Sequence, residues 1–292
     1  MFSVFKKLYH KAFTGGKWIV AVRQIDGNDP VFAVVKANEG QWLADPFLFE
    51  DGPDHYLFVE QYFKNKNRAG IGVYSITDEG VVDNHVIIDN PYHMSYPCVF
   101  RYGEKYFMVP ESSSNSSLDL YEATQFPYRW EIVSHLLTGT SIVDSTVIVD
   151  NGIVYILGYM KNSAGPGFLL IKYILDMNSY SIKEISRKEY KDNVARPAGG
   201  FFYENGILYR PAQNCSLKYG NSIIFYRVDS LKNNQYSEMS DSEMFAGDIN
   251  CSVPITRVHT YNRDSKYEVI DGFIEQFDIL HWYKILKRRH RK

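Results

Sequence analysis

Short runs of alternating apolar and polar residues, each bounded by a turn signal, fill most of the chain, and a period of two predicts strands with one buried face. The clearest runs lead with a tyrosine: Tyr56-Leu-Phe-Val-Glu60, Tyr106-Phe-Met-Val-Pro-Glu111, Tyr155-Ile-Leu-Gly-Tyr159, Tyr209-Arg-Pro-Ala-Gln213 and Tyr267-Glu-Val-Ile-Asp271. Their leading tyrosines lie 50, 49, 54 and 58 residues apart. Each run follows a turn signal: Asp51-Gly52, Tyr102-Gly103, Asn151-Gly152, Asn205-Gly206, and Asn262-Arg-Asp264. Glycine and asparagine accept the positive φ that a tight hairpin demands, so each pair predicts a hairpin closing onto the strand before it.

Four of those preceding strands start at Asp45-Pro46, Tyr96-Pro97, Asp144-Ser145 and Arg196-Pro197, spaced 51, 48 and 52. Pro254-Ile-Thr-Arg-Val-His259 is the fifth, less regular candidate. A third strand follows in each unit, with Tyr74, Tyr121, Tyr173 and Tyr226 in matching places 47, 52 and 53 apart. Outer strands are predicted at Val86–Ile88, Trp130–Val133 and Ser181–Ile185. A four-stranded antiparallel unit recurring about every fifty residues predicts an all-β fold, a β-propeller of five blades. Trp18–Arg23 and Ile279–Ile285 are left over at opposite ends. Pairing them completes the fifth blade and closes the ring, which removes an exposed edge. The expected organisation is an amphipathic segment over residues 1–16, one propeller over 17–286 and a basic tail over 287–292.

Composition agrees with this picture and narrows the function classes. The 292 residues include 23 tyrosines and 18 phenylalanines, a bias suited to pleated, half-buried surfaces. A net charge of −2 gives no reason to expect nucleic-acid binding. Cys98, Cys215 and Cys251 form neither a disulfide framework nor a metal-ligand pattern and read as free thiols. The first residues lack the apolar run of a secretory signal, and no stretch has the apolar length of a membrane-spanning helix, so the chain reads as cytoplasmic. Phe2, Val4, Phe5, Leu8 and Phe13 interleave with Lys6, Lys7 and Lys11, while Lys287–Lys292 is almost wholly basic. Together these ends suit peripheral contact with an anionic inner membrane face, the alternative being a short packing helix and a solvated tail.

In a propeller the innermost strands line the axis, so their first residues meet at one mouth. Here those residues are Asp45, Tyr96, Asp144, Arg196 and His259. Antiparallel pairing returns the ends of the adjoining strands, Glu60, Glu111, Gln213 and Asp271, to the same place. Three carboxylates, Asp45, Glu111 and Asp144, are the candidate catalytic groups. Glycosidic bond chemistry needs one ionised carboxylate and one protonated acid, and crowding in a partly dry pocket drives their pKa values apart. Arg196 is the candidate clamp for an anionic substrate group. Tyr96, Glu60, Gln213 and His259 are the remaining substrate-binding candidates. Each residue also has a structural use: Asp-Pro is an ordinary turn device, and Glu111 can cap the serine-rich loop that follows it. No spacing motif supports a metal site, there is no phosphate-binding or nucleophile-elbow motif, and no cofactor is expected.

The run Trp42-Leu-Ala-Asp-Pro46 resembles the first-blade motif of five-bladed glycoside hydrolases of the family 43 type. That resemblance implies a general base at Asp45 and, through Val143-Asp-Ser-Thr146, an orienting carboxylate at Asp144. Those hydrolases take their acid from a later blade, where this chain presents Arg196, which leaves Glu111 or Glu60 as the acid. Taken with Pro110-Glu-Ser112 and Arg196-Pro-Ala-Gly-Gly200, the motifs look more like the N-terminal propeller domain of glucosamine inositolphosphorylceramide transferases, over residues near 17–275. The plant transferases carry a separate glycosyltransferase domain, which is not expected in this sequence. The resemblance implies a carbohydrate-active propeller acting on a carbohydrate or glycoconjugate, in glycosyl transfer for surface-polysaccharide or glycolipid assembly. A glycosidase and a non-catalytic sugar-binding propeller are the alternatives.

Overall fold

The computed structural model describes residues 14–27, 29–232 and 236–277. The strands form five antiparallel sheets arranged as the blades of a propeller. Blade one comprises Gln41–Asp51, Asp54–Phe63, Arg68–Thr77 and Gly80–Ile88, from axis to rim. Blade two comprises Ser95–Tyr102, Lys105–Ser112, Ser117–Gln125 and Arg129–Thr138. Blade three comprises Val143–Asp150, Ile153–Lys161, Phe168–Asp176 and Ser181–Tyr190. In blade four the inner strand is broken into Arg196–Pro197 and Phe202–Glu204, followed by Ile207–Asn214, Ser222–Ser230 and Ser237–Phe245.

The hairpins sit where the turn residues place them. Asp150 pairs with Ile153 and Glu204 with Ile207, leaving Asn151-Gly152 and Asn205-Gly206 as two-residue loops. All four loop residues have φ between 50° and 77°, the mirror-image turn that follows the natural twist of the strands. Tyr74, Tyr121, Tyr173 and Tyr226 are all buried on the third strands. Between blades one, two and three the core is continuous through Phe58, Phe107, Met108 and Ile156.

The ring closes by pairing of N- and C-terminal segments, as expected, but through another C-terminal strand. Thr14–Gln24 does cross to the last blade, but its partner is Tyr267–Phe277, with Val20 opposite Asp271 and Trp18 opposite Phe273. The apolar run that begins at Tyr267 is long enough to serve both the innermost strand Tyr261–Arg263 and the N-terminal strand. Ala33–Val34 forms the rim of this blade. Ile279–Ile285, proposed as the partner, lies outside the described residues, as do residues 1–13 and 287–292. Pro254–His259 is not a strand: it runs as irregular chain, tied by Thr256 N–H to Phe273 O and Val258 N–H to Gly220 O, and the inner strand begins after it. Among the described residues no helix is long and apolar enough to cross a membrane.

Candidate functional site

Three inner strands share one local device. In blade one Ala44 pairs with Glu60 and Phe47 with Phe58, so Asp45-Pro46 carries one residue more than its partner strand. The same bulge recurs at Tyr96-Pro97 and Asp144-Ser145. Asp45, Tyr96 and Asp144 have φ of 44°, 49° and 48°, a left-handed conformation uncommon outside glycine, which aspartate tolerates better than the bulky Tyr96. A bulge re-aims its side chain, and here it brings three side chains of three blades to the axis.

Blade four departs from this register. Arg196 pairs with Gln213, which aligns it with Ala44, Ser95 and Val143, one residue ahead of the bulge position expected for it. Pro197 occupies the bulge position, and its ring locks φ near −65°, so the left-handed turn is unavailable there. The chain instead widens around Gly199, whose φ is 136° and whose missing Cβ would stand 2.0 Å from Tyr261 O.

Asp144, Glu111, Arg196 and Gln213 form one cluster. Arg196 grips Asp144 with Nε to Oδ2 at 2.5 Å and Nη2 to Oδ1 at 3.1 Å. Its Nη2 also lies 3.6 Å from Glu111 Oε2. Gln213 Nε2 donates to Asp144 Oδ2 at 2.6 Å, and the Asp144 N–H donates to Glu111 Oε2 at 3.1 Å. Ser113 Oγ donates to Glu111 Oε1 at 2.6 Å. Burial opposes ionisation of Asp144, but the Arg196 charge together with hydrogen bonds from Arg196 and Glu111 and the charge of His259 outweighs it and holds the carboxyl below its usual range. Burial and the neighbouring Asp144 charge push Glu111 well above its usual range. Arg196 is therefore an internal partner of the two carboxylates rather than an unoccupied clamp, with a fifth of its side chain exposed.

Asp45, His259, Asp271 and Thr260 form a second cluster where blade one meets blade five. Thr260 Oγ1 donates to Asp45 Oδ1 at 2.9 Å. Asp271 accepts three backbone N–H bonds, from His259 at 3.0 Å, Thr260 at 2.9 Å and Asp45 at 3.2 Å. His259 Nδ1 contacts Asp271 Oδ2 as an ion pair without the alignment of a directed hydrogen bond, and its Nε2 lies 3.5 Å from Asp45 Oδ1. Burial pushes the Asp45 carboxyl up to about 8, against the opposing pull of His259. Asp45 also senses the charge of Asp144, which links the two clusters.

Tyr96 is fully buried, its hydroxyl bonded to Thr146 Oγ1 at 2.7 Å, and it accepts Gly199 N–H at 2.6 Å, so it braces blades two, three and four. Glu60 lies 3.3 Å from His93 Nε2, at the mouth beside the stacked Trp42 and Tyr62 rings. The sequence reading passed over Trp18, Tyr219 and His93. Trp18 stacks on His259 with ring centres 3.9 Å apart, and Tyr219 meets both rings edge-on. No local motif marks them, because ring closure brings in Trp18, a blade-four loop Tyr219 and the link between blades one and two His93. Among the described residues two groups bring metal-capable atoms within 4.8 Å of one another, Asp45, His259 and Asp271 at this site and Glu50, His55 and Asp264 outside it. In the first group Asp271 accepts three N–H groups, while His259 Nδ1 makes no directed hydrogen bond.

The family model described as glucosamine inositolphosphorylceramide transferase 1, N-terminal, matches residues 18–250. The chain belongs to this family. The curated transferase 1 of Oryza sativa subsp. indica is 30% identical over 228 residues, covering 72% of this chain and 30% of that protein. The Arabidopsis thaliana transferase 1 is 31% identical over 210 residues, covering 68% and 27%. The chain thus spans about a third or less of the length of these relatives. Among solved structures, a thermostable family-43 glycoside hydrolase superposes with a TM-score of 0.57 at 12% identity, covering 82% of this chain and 91% of that one. The exo-beta-1,3-galactanase of Phanerochaete chrysosporium gives 0.54 at 16% identity, covering 79% and 54%. At these identities the likeness is one of fold.

Proposed function

We propose that the axial carboxylates act at a glycosidic centre, in glycosyl transfer during surface-polysaccharide or glycolipid assembly. The observation that carries this reading is the Glu111–Asp144–Arg196 cluster, in which two neighbouring carboxyls are driven in opposite directions. Such a divergence assigns acid and carboxylate roles without further groups. Glu111, kept protonated, gives its proton to the departing glycosidic oxygen. Asp45, whose carboxyl is ionised only as pH rises through about 8, takes in that form the proton of the incoming hydroxyl as that oxygen bonds to the anomeric carbon. Asp144, held ionised by Arg196, orients Glu111. The name shared by the curated relatives supports transfer over hydrolysis.

A second reading is favoured by the burial of Asp45 and its bond from Thr260, which also suit a carboxylate that only binds sugar hydroxyls. A screen of nucleotide sugars and oligosaccharides, followed by turnover and by calorimetry, separates the two. Asp45→Asn is expected to abolish turnover while ligand affinity stays within about threefold. Unchanged turnover in a folded Asp45→Asn protein excludes the role assigned to Asp45, and binding without turnover in the wild type favours the second reading. Contact with an anionic membrane through the two chain ends is part of the same proposal. Removing residues 287–292 is expected to weaken sedimentation with phosphatidylserine vesicles, and undiminished sedimentation contradicts it.

A further inference from the structure

The blade-five cluster contains an imidazole whose two nitrogens both face carboxylate oxygens, Nδ1 toward Asp271 and Nε2 toward Asp45. A neutral imidazole has one N–H and one lone pair, so whenever Asp45 is ionised a lone pair confronts a carboxylate in either tautomer. Only the imidazolium donates at both positions. Trp18 covers one face of this ring at 3.9 Å with planes 14° apart, which is the placement that favours a cation on an aromatic face. His259 is 2% exposed and Asp271 is fully buried. Water therefore has little access to stabilise either charge, and the partners are the residues themselves.

We propose that His259, held by Asp271 and capped by Trp18, is a positioning residue that keeps the Asp45 carboxyl available as a base. This rests on the base role proposed for Asp45 and supplies what that role needs, a buried cation beside a buried carboxylate. In the reactive form, with Asp45 ionised as it is above about pH 8, the trio carries one net negative charge: two carboxylates and one imidazolium. When Asp45 takes a proton from an incoming hydroxyl the trio becomes neutral overall, so no isolated charge is created in the dry interior. The N-terminal strand enters the chemistry through Trp18, because the strand that closes the ring also closes over the histidine.

Further charged groups surround this trio, and Arg257 lies over the Trp18 ring 5.7 Å from its centre. Asp144 and Glu60 face Asp45 and disfavour its ionisation, Asp144 being held by Arg196 and Glu60 by His93. Asp144 also faces His259 and favours its charged form. Tyr219 stands edge-on to His259, with Arg196 over its ring 5.5 Å from the centre. Burial by itself lowers the His259 pKa, and Asp271 and Asp45 outweigh it, so the ring stays charged above its ordinary value of 6.5.

The test is heteronuclear NMR of the full chain labelled at histidine nitrogens and aspartate carboxyls, without substrate. In the wild type at pH 7 both His259 nitrogens are expected to show imidazolium shifts. In His259→Gln the Asp45 midpoint is expected to rise by about one pH unit or more, since a nearby opposite charge moves a buried carboxyl by roughly one to three. Trp18→Phe, which keeps an aromatic ring, is expected to lower the His259 midpoint by a smaller amount. A neutral His259 tautomer at pH 7, or an Asp45 midpoint unmoved in His259→Gln, overturns the proposal. These readouts need no turnover, so a positioned Asp45 in a protein that transforms no glycoside refutes the base role and leaves the couple standing. If turnover is found, His259→Gln is expected to move the rising limb of the kcat–pH profile to higher pH with KM little changed, and a uniform loss across pH contradicts the positioning role.

Discussion

Replacing Arg196 with methionine tests the electrostatics of the site quantitatively. The side chain supplies two hydrogen bonds to Asp144 and the charge nearest to Glu111, and Asp144 is 1% exposed. Removing one partner of a buried ion pair costs about 3–5 kcal/mol, because the remaining charge loses its compensation. Asp144 has an escape, which is to bind a proton. From its ordinary value of 3.8, carrying a proton at pH 7 costs at most about 4 kcal/mol, at about 1.4 kcal/mol per pH unit. At pH 5 the same escape costs only about 1.5 kcal/mol. Gln213 remains as a donor to Asp144 and reduces both figures somewhat. Arg196→Met is thus expected to lose roughly 3–4 kcal/mol of stability at pH 7 and about 1.5 at pH 5. Urea unfolding of both proteins at the two pH values measures the difference directly. A loss of equal size at both pH values means that methionine packs badly rather than that Asp144 is stranded. No loss at pH 7 means that the carboxylate is hydrated, and the acid–carboxylate assignment of Glu111 and Asp144 then fails.

Asp271→Ala orphans three buried backbone N–H groups at the seam between blades one and five, and at about 1–3 kcal/mol each a loss of roughly 3–9 kcal/mol is expected in urea unfolding. A loss under about 1 kcal/mol contradicts the three buried bonds assigned to Asp271. Tyr96→Phe removes the hydroxyl that accepts Gly199 N–H and is expected to cost about 1–3 kcal/mol, with an unchanged midpoint as the refuting result. The wild type is expected to lose stability between pH 6 and pH 8. Asp45 has a folded pKa of about 8 above its ordinary 3.8, so its contribution is full below the ordinary value and is lost as pH rises through 8; Glu111, also raised, acts in the same sense. Asp144 and Glu238, whose folded values are lowered, contribute above their ordinary values and lose that contribution at acid pH. Stability that rises from pH 6 to pH 8 refutes the raised carboxyls.

The repeat and its hairpins were legible because they depend on local chemistry: positive φ at Gly and Asn, and apolar alternation on each strand. The bulge positions Asp45, Tyr96 and Asp144 followed from the same register. Blade four misled because Arg196-Pro197 has the look of Asp45-Pro46, while the fixed φ of Pro197 shifts the true alignment by one residue. The rim strand Ser237–Phe245 gave no signal, since its exposed, serine- and glutamate-rich face is held by pairing with Ser222–Ser230. His259 followed from its blade position, but Trp18 lies 241 residues away and meets it only when the ring closes, so no pattern along the chain announces their stacking. Asp271 was placed at the mouth by its blade position, but its three N–H acceptances across the seam require the folded register.

The most direct test of the account is a crystal structure with a nucleotide sugar or oligosaccharide identified by the binding screen. The account predicts a sugar ring over the axis, with its reacting oxygens within hydrogen-bond reach of Asp45 and Glu111. A ligand bound elsewhere on the propeller, with both carboxyls in their present bonds, contradicts it.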